Sequence, residues 1–138
     1  MSKLGKFEDL TIFQMARNLC KDVYAITKQG EFKKDTRFVQ QIHAAAGSIM
    51  DNIAEGFERD GNGEFKQYLF IAKGSCGETR SQLYRAYDYG FLDENTFEEL
   101  KNQSIEISQS ISNFIDYLQN TDIKGIKYKK PDQSKSWN

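Results

Sequence analysis

Glu55 and Glu78 are the residues of this chain best suited to reaction chemistry. Each sits in a run with helical spacing, and two carboxylates brought together can divide the roles of general acid and general base. Nothing beside them specifies a substrate. The one histidine, His43, has Gln40 three residues before it, so the paired Glu-x-x-His of a di-iron bundle is not formed. No Ser or Cys nucleophile accompanies His43 in a recognisable motif. Cys20 and Cys76 have no CxxC partner, which leaves structural zinc and dithiol redox chemistry without ligands. Both read as buried free thiols. Glycine loops of the form GxxxxGK[ST], or GxGxxG after a strand, do not occur. The expectation is a chain without catalytic residues, cofactor or metal, and an enzyme using Glu55 and Glu78 is the minor alternative.

The two glutamates belong to longer polar lines. The run SIMDNIAEGFER carries Ser48, Asn52, Glu55 and Arg59 at steps of four, three and four. A second line holds Ser75, Glu78, Gln82 and Arg85 at steps of three, four and three. Such steps align side chains on one helix face. Asn52 is a poor helix former set between Ile49 and Ile53, and a polar residue at the border of a core specifies pairing or holds a partner. If the two helices are antiparallel neighbours, the seams meet, with Glu55 facing Arg85 or Arg80 and Arg59 facing Glu78 or Glu64. A solvated face is the plain alternative.

The elements that carry these seams follow from period. Ile12, Met15, Leu19, Val23 and Ile26 predict a first helix over about 8–28. Val39, Ile42, Ala46, Ile49, Ile53 and Phe57 predict a second over about 35–58, capped by Asp35 or Thr36 and ended by Asp60-Gly61-Asn62-Gly63. Phe65, Leu69, Ala72, Cys76, Thr79, Leu83 and Ala86 alternate steps of four and three over about 63–89, and Gly90 closes that helix. Phe97, Leu100, Ser104, Ile107, Ile111, Phe114 and Leu118 repeat the alternation over about 93–119. The sole proline is Pro131, so nothing interrupts these helices. Four helices of similar length on short turns define an all-α fold, an antiparallel up-down-up-down four-helix bundle over 1–120. Residues 121–138 follow as a basic tail.

Small residues punctuate the second and third helices. Gly47, Gly74 and Gly77 each cost a helix interior about 1 kcal/mol relative to Ala. The expected return is close backbone approach, either between helices 2 and 3 or against another subunit. Aromatics are plentiful, with ten Phe and seven Tyr. Tyr84, Tyr87, Tyr89 and Phe91 crowd the end of helix 3 beside Arg85, with Tyr68 and Phe70 earlier. Aromatics on several faces of one helix point to a protein partner, and aromatics beside arginine can also stack bases.

Charge sets further bounds. The net charge of −1 gives no global drive toward nucleic acid. Residues 91–120 carry one Lys against six acidic side chains, whereas 121–138 carry five Lys against two Asp. The cations available to a phosphate backbone are Arg37, Arg59, Lys66, Lys73, Arg80 and Arg85, with Lys124, Lys127, Lys129 and Lys130 in the tail. No apolar run approaches the roughly 20 residues of a membrane span, and MSKLGKFEDL is not an apolar leader. The expected compartment is the cytoplasm.

SIMDNIAEGFER, GEFKQYLFIAKGSCGETRSQLYRAYDYG and the opening FEDLTIFQMARNLCKDVYAIT together resemble a bacterial four-helix-bundle family, the proteins encoded in intervening sequences of large-subunit ribosomal RNA genes. The resemblance covers roughly residues 5–120. It implies a left-handed up-down bundle that assembles into a ring, usually a homopentamer. The family is similar to the accessory protein of diversity-generating retroelements, which works with a reverse transcriptase and RNA. The functional proposal that the resemblance implies is nucleic-acid binding, by a ring of Arg and Lys with the basic tail; the small-residue and polar seams of helices 2 and 3 put a non-enzymatic oligomeric scaffold or binding module ahead of it. Many members carry a basic pair in a form like QIRRAA. This chain has Gln41-Ile42-His43-Ala44-Ala45-Ala46, a His and an Ala in place of that pair.

Overall fold

The computed structural model describes residues 5–121; the tail lysines Lys124, Lys127, Lys129 and Lys130 lie outside the described residues. Within them the chain forms α1 (Thr11–Ile26), α2 (Thr36–Glu58), α3 (Asn62–Asp88) and α4 (Glu94–Thr121). Single 3-10 turns at Phe7–Asp9 and Phe32–Lys34 lead into α1 and α2. Each helix packs on the next, and α4 returns to α1. The result is the four-helix bundle that the periodicity predicts.

Local chemistry sets the helix ends. The Asp35 carboxylate accepts the Phe38 N–H at 3.1 Å and caps α2. Asp93 does the same for α4, accepting the Thr96 N–H at 2.8 Å. Hydrogen bonds from Thr96, backbone first, hold the Asp93 carboxyl below its ordinary pKa. At the end of α3, the Phe91 N–H reaches the Ala86 carbonyl at 2.9 Å and the Gly90 N–H reaches that of Tyr87 at 3.0 Å. This paired closure needs a left-handed residue after the cap. Gly90 supplies it, with φ +81°.

The predicted seams of α3 and α4 are buried at every position, from Phe65 to Ala86 and from Phe97 to Leu118. α2 differs by one residue at its start. Phe38 is buried there and Val39 only partly so. The reason lies outside the helix: Phe38 meets Phe32 of the preceding turn at 5.2 Å between ring centroids and Phe91 at 6.3 Å. Phe32 stacks on Phe91 at 4.8 Å. These three rings seal one end of the bundle. Phe65, edge-on to both Phe57 and Phe114 at 5.9 and 5.6 Å, seals the other.

Candidate functional site

α2 and α3 make the most extensive helix pairing of the bundle, and the two polar seams meet along it. Ser48 and Ser75 share a hydrogen bond of 2.8 Å between their hydroxyls. The Asn52 amide donates to the Ser48 carbonyl at 2.8 Å and to its hydroxyl at 2.9 Å. Ser48 Oγ therefore accepts a hydrogen bond from Asn52 while sharing one with the Ser75 hydroxyl, in which either serine can donate. Thr79, buried in the α3 seam, donates back to the Ser75 carbonyl at 2.8 Å. Asn52 thus holds the Ser48 hydroxyl from within α2, and the cross-helix bond is made by Ser48. Gln82, on the same line, is 7% exposed, and its Oε1 has no hydrogen-bond partner among the described residues.

Seven residues on in α2, and seven back in α3, Glu55 meets Tyr68, whose hydroxyl donates to Oε2 at 3.2 Å. Arg59 binds the same carboxylate at 3.2 Å and the Tyr68 hydroxyl at 2.8 Å. Its guanidinium lies 5.2 Å from the centre of the Tyr68 ring. Tyr68 also lies against Gly56, where an added Cβ would stand 2.5 Å from the Tyr68 Cβ. The close approach between α2 and α3 is therefore at Gly56; Gly47, Gly74 and Gly77 do not make it, which leaves for them the other expected return, contact with another subunit.

This register corrects the predicted ion pairs. Glu55 takes Arg59 of its own helix rather than Arg85 or Arg80. Glu78 is exposed and forms no ion pair among the described residues, and Glu64 adds a through-space attraction to Arg59. Glu55 faces Tyr68, ten residues before Glu78, a separation of roughly 15 Å along α3. The two carboxylates do not converge as an acid–base pair. Arg85 instead donates to the Gln41 side-chain carbonyl at 3.3 Å and lies 4.4 Å over the ring of Phe38.

The remaining cations divide between two flanks of α3. Lys66, Lys73 and Arg80 recur every seven residues and are half-buried. Their flank faces α4, because Tyr84, four residues beyond Arg80, packs edge-on to Phe97 at 4.9 Å. Arg59 and Arg85 lie on the α2 side, with Arg37 exposed in the first turn of α2. Lys73 and Arg80 both act on the Cys76 thiol, but burial outweighs them and pushes it up to about 12. Burial, then the charge of Asp51, raises Cys20 as well. Neither thiol has the thiolate character of a nucleophile. Thr27 commits its one hydroxyl proton to the Tyr24 carbonyl at 2.8 Å, so His43 Nε2, 2.7 Å from the same oxygen, must be the donor to it. The imidazole ties α2 to α1.

Several of the aromatics expected at a partner surface have partners within the chain. Tyr87 stacks on Phe97 at 4.7 Å, and Tyr89 sits edge-on to Phe38 and Phe91 at 5.8 and 5.7 Å. Phe70 and Ile71 remain, 53% and 51% exposed. On their face, at steps of four and three from Phe70, lie Gly74 and Gly77, each open to solvent with nothing for a Cβ to meet. Tyr68, Gln41 and Phe38 were not singled out by spacing. Their roles depend on the α2–α3 register, which Ser48 and Ser75 reveal only once the helices are paired.

No group of three or more His, Cys, Asp or Glu side chains among the described residues is arranged to hold a metal ion. No described helix is long and apolar enough to cross a membrane.

The molecule is thus an all-α bundle whose central helix pair is registered by a polar ladder. The chain belongs to the 23S rRNA-intervening sequence protein family, whose model matches residues 8–113. It is similar in fold to a solved protein of unknown function of the S23 ribosomal protein family from Bacteroides thetaiotaomicron VPI-5482. The two share 20% identity and a TM-score of 0.70, over 76% of this chain and 98% of the other. No curated protein matches the sequence.

Proposed function

We propose that this chain is a non-enzymatic assembly module, a homo-oligomeric bundle whose subunits meet on the outward face of α3 and act together as a scaffold or binding platform. The observation that carries this reading is the coincidence of Gly74 and Gly77 with exposed Phe70 and Ile71 on one side of a long helix. Each glycine costs about 1 kcal/mol of helix stability, and no contact among the described residues offsets it. A second helix laid across a surface without Cβ atoms can approach to backbone distance. Burying Phe70 and Ile71 in the same contact contributes about 1.5–3 kcal/mol apiece. The family resemblance supplies the expected number of copies, five. The separation of Glu55 from Glu78 removes the main support for an enzyme.

Light scattering on the purified protein tests this. Wild type should elute as a multiple of the 15.9 kDa chain. Phe70→Asp and Gly77→Leu should reduce it to a helical monomer, while Ile105→Asp on α4 leaves it assembled. A monomeric wild type at micromolar concentration overturns the reading, and variants that remain assembled overturn the placement on α3.

A second reading is single-stranded nucleic-acid binding by the assembly. It is favoured by the guanidiniums of Arg37 and Arg85 beside the exposed ring of Tyr89. Phosphate contacts would make such binding steeply salt-dependent.

A further inference from the structure

A groove of about 330 Å³ opens where α2 begins and α3 ends, lined by Asp35, Arg37, Phe38, Gln41, Arg85 and Tyr89. It lies on the opposite flank of α3 from Lys66, Lys73 and Arg80, and near the end of the bundle that the Phe32, Phe38 and Phe91 rings seal. Two cations line it, Arg37 and Arg85, and Lys33 and Lys34 precede them in the chain, in the turn before α2. Lys34 is paired with Glu31 at 3.2 Å. Arg37 and Arg85 form no ion pair among the described residues. The one carboxylate lining the groove, Asp35, accepts the Phe38 N–H.

The parts of this groove are held in place. Arg85 is fixed by the Gln41 side chain and by the face of the Phe38 ring, and the rest of its N–H donors are unused by them. Tyr89 is propped edge-on against Phe38 and Phe91, yet 54% of it is exposed. An aromatic ring more than half exposed, beside the guanidiniums of Arg37 and Arg85, presents what a nucleotide requires: a stacking platform and two phosphate donors. Arg85, already held by Gln41 and Phe38, also lowers the ordering cost of binding.

We infer that this groove binds one nucleotide of a single-stranded nucleic acid, with the phosphate between Arg37 and Arg85 and the base against Tyr89. The inference rests on the nucleic-acid reading above and gives it an address that does not involve the α3 outward face. Arg59, committed to Glu55 and Tyr68, is not part of it.

Fluorescence anisotropy with short labelled single-stranded RNA and DNA, at about 50 and 200 mM salt, tests it. Arg37→Ala should weaken binding and lower the salt slope by about one. Tyr89→Ala should weaken it about five- to a hundredfold, and Tyr89→Phe should restore it, because stacking needs the ring and not the hydroxyl. A nucleoside monophosphate should compete at least tenfold more weakly than the strand; equal competition would overturn the assignment to a strand. Binding by wild type that Arg37→Ala and Tyr89→Ala leave unchanged overturns the groove alone. A wild type that binds neither RNA nor DNA overturns both the groove and the nucleic-acid reading.

Discussion

Ser48 and Ser75 lie hydroxyl to hydroxyl at 2.8 Å, and this pair fixes which residues of α2 and α3 can meet. Seven residues toward one end it aligns Glu55 with Tyr68. Ten residues toward the other it aligns Phe38 with Arg85. A one-turn slip would place the exposed Glu78 closer to Glu55 and strip Tyr68 from the flat surface of Gly56. The serine pair, with Asn52 behind it, is therefore the register mark of the central helix pair.

Ser75→Ala should cost about 1 kcal/mol in chemical denaturation, because it leaves the Ser48 hydroxyl without its cross-helix partner. Combined with Ser48→Ala, the loss should be less than additive by about 0.5–1.5 kcal/mol. Strict additivity would mean that the two hydroxyls do not interact in solution.

Gly56→Ala and Gly77→Ala should have opposite signs in the dissociated chain. The new Cβ at position 56 meets Tyr68 at 2.5 Å and should destabilise by about 1–3 kcal/mol. At position 77 it meets nothing, and the better helix former should stabilise by up to about 1 kcal/mol. Thermal melts under dissociating dilution read both. A neutral Gly56→Ala would contradict the close packing of Tyr68 on Gly56.

The contrast between these glycines also marks how much the sequence discloses. Period alone located the cores of α3 and α4, because a residue's place in the repeat depends only on its own helix. The cap of α2 was legible to within one residue, Asp35 or Thr36, for the same reason: cap chemistry is local; that Asp93 caps α4 is a finding of the structure. Phe38 displaced Val39 because Phe32 and Phe91 arrive from other segments to cover it. Gly47, Gly74 and Gly77 announced themselves as small, but size does not say which way a residue faces. Gly56 was hidden inside a run read for its polar side chains. The ion pairs of the seams were the least legible, since Glu55 had several cations within helical reach and only the register excludes Arg80 and Arg85.

Gln82→Met should stabilise the bundle by about 1 kcal/mol. Its Oε1 is buried without a partner among the described residues, and an unpaired buried acceptor carries a desolvation penalty of roughly 1–3 kcal/mol. Methionine is close in volume and has no such requirement. Denaturant midpoints of the two proteins provide the comparison, and a loss of stability would show that the amide is satisfied.

The thiols predict a pH dependence of definite sign. Cys76 titrates near 12 in the fold against 9.0 for an ordinary thiol. Its protonated state favours the folded chain below pH 9, and that stability is lost as pH rises from 9 toward 12, with a limiting slope of about 1.4 kcal/mol per pH unit. Cys76→Ala should flatten this part of the curve. In the folded protein Cys20, half-buried, should react with a thiol reagent well before Cys76. Equal rates would contradict the burial of Cys76.

The central claim is that the outward face of α3 exists to meet another copy of this chain. Sedimentation equilibrium on wild type tests it most directly. The account predicts a mass that is a closed multiple of 15.9 kDa, with five copies as the expectation from family resemblance. A single species of 15.9 kDa at tens of micromolar, a concentration at which interfaces of standard size are occupied, would contradict it.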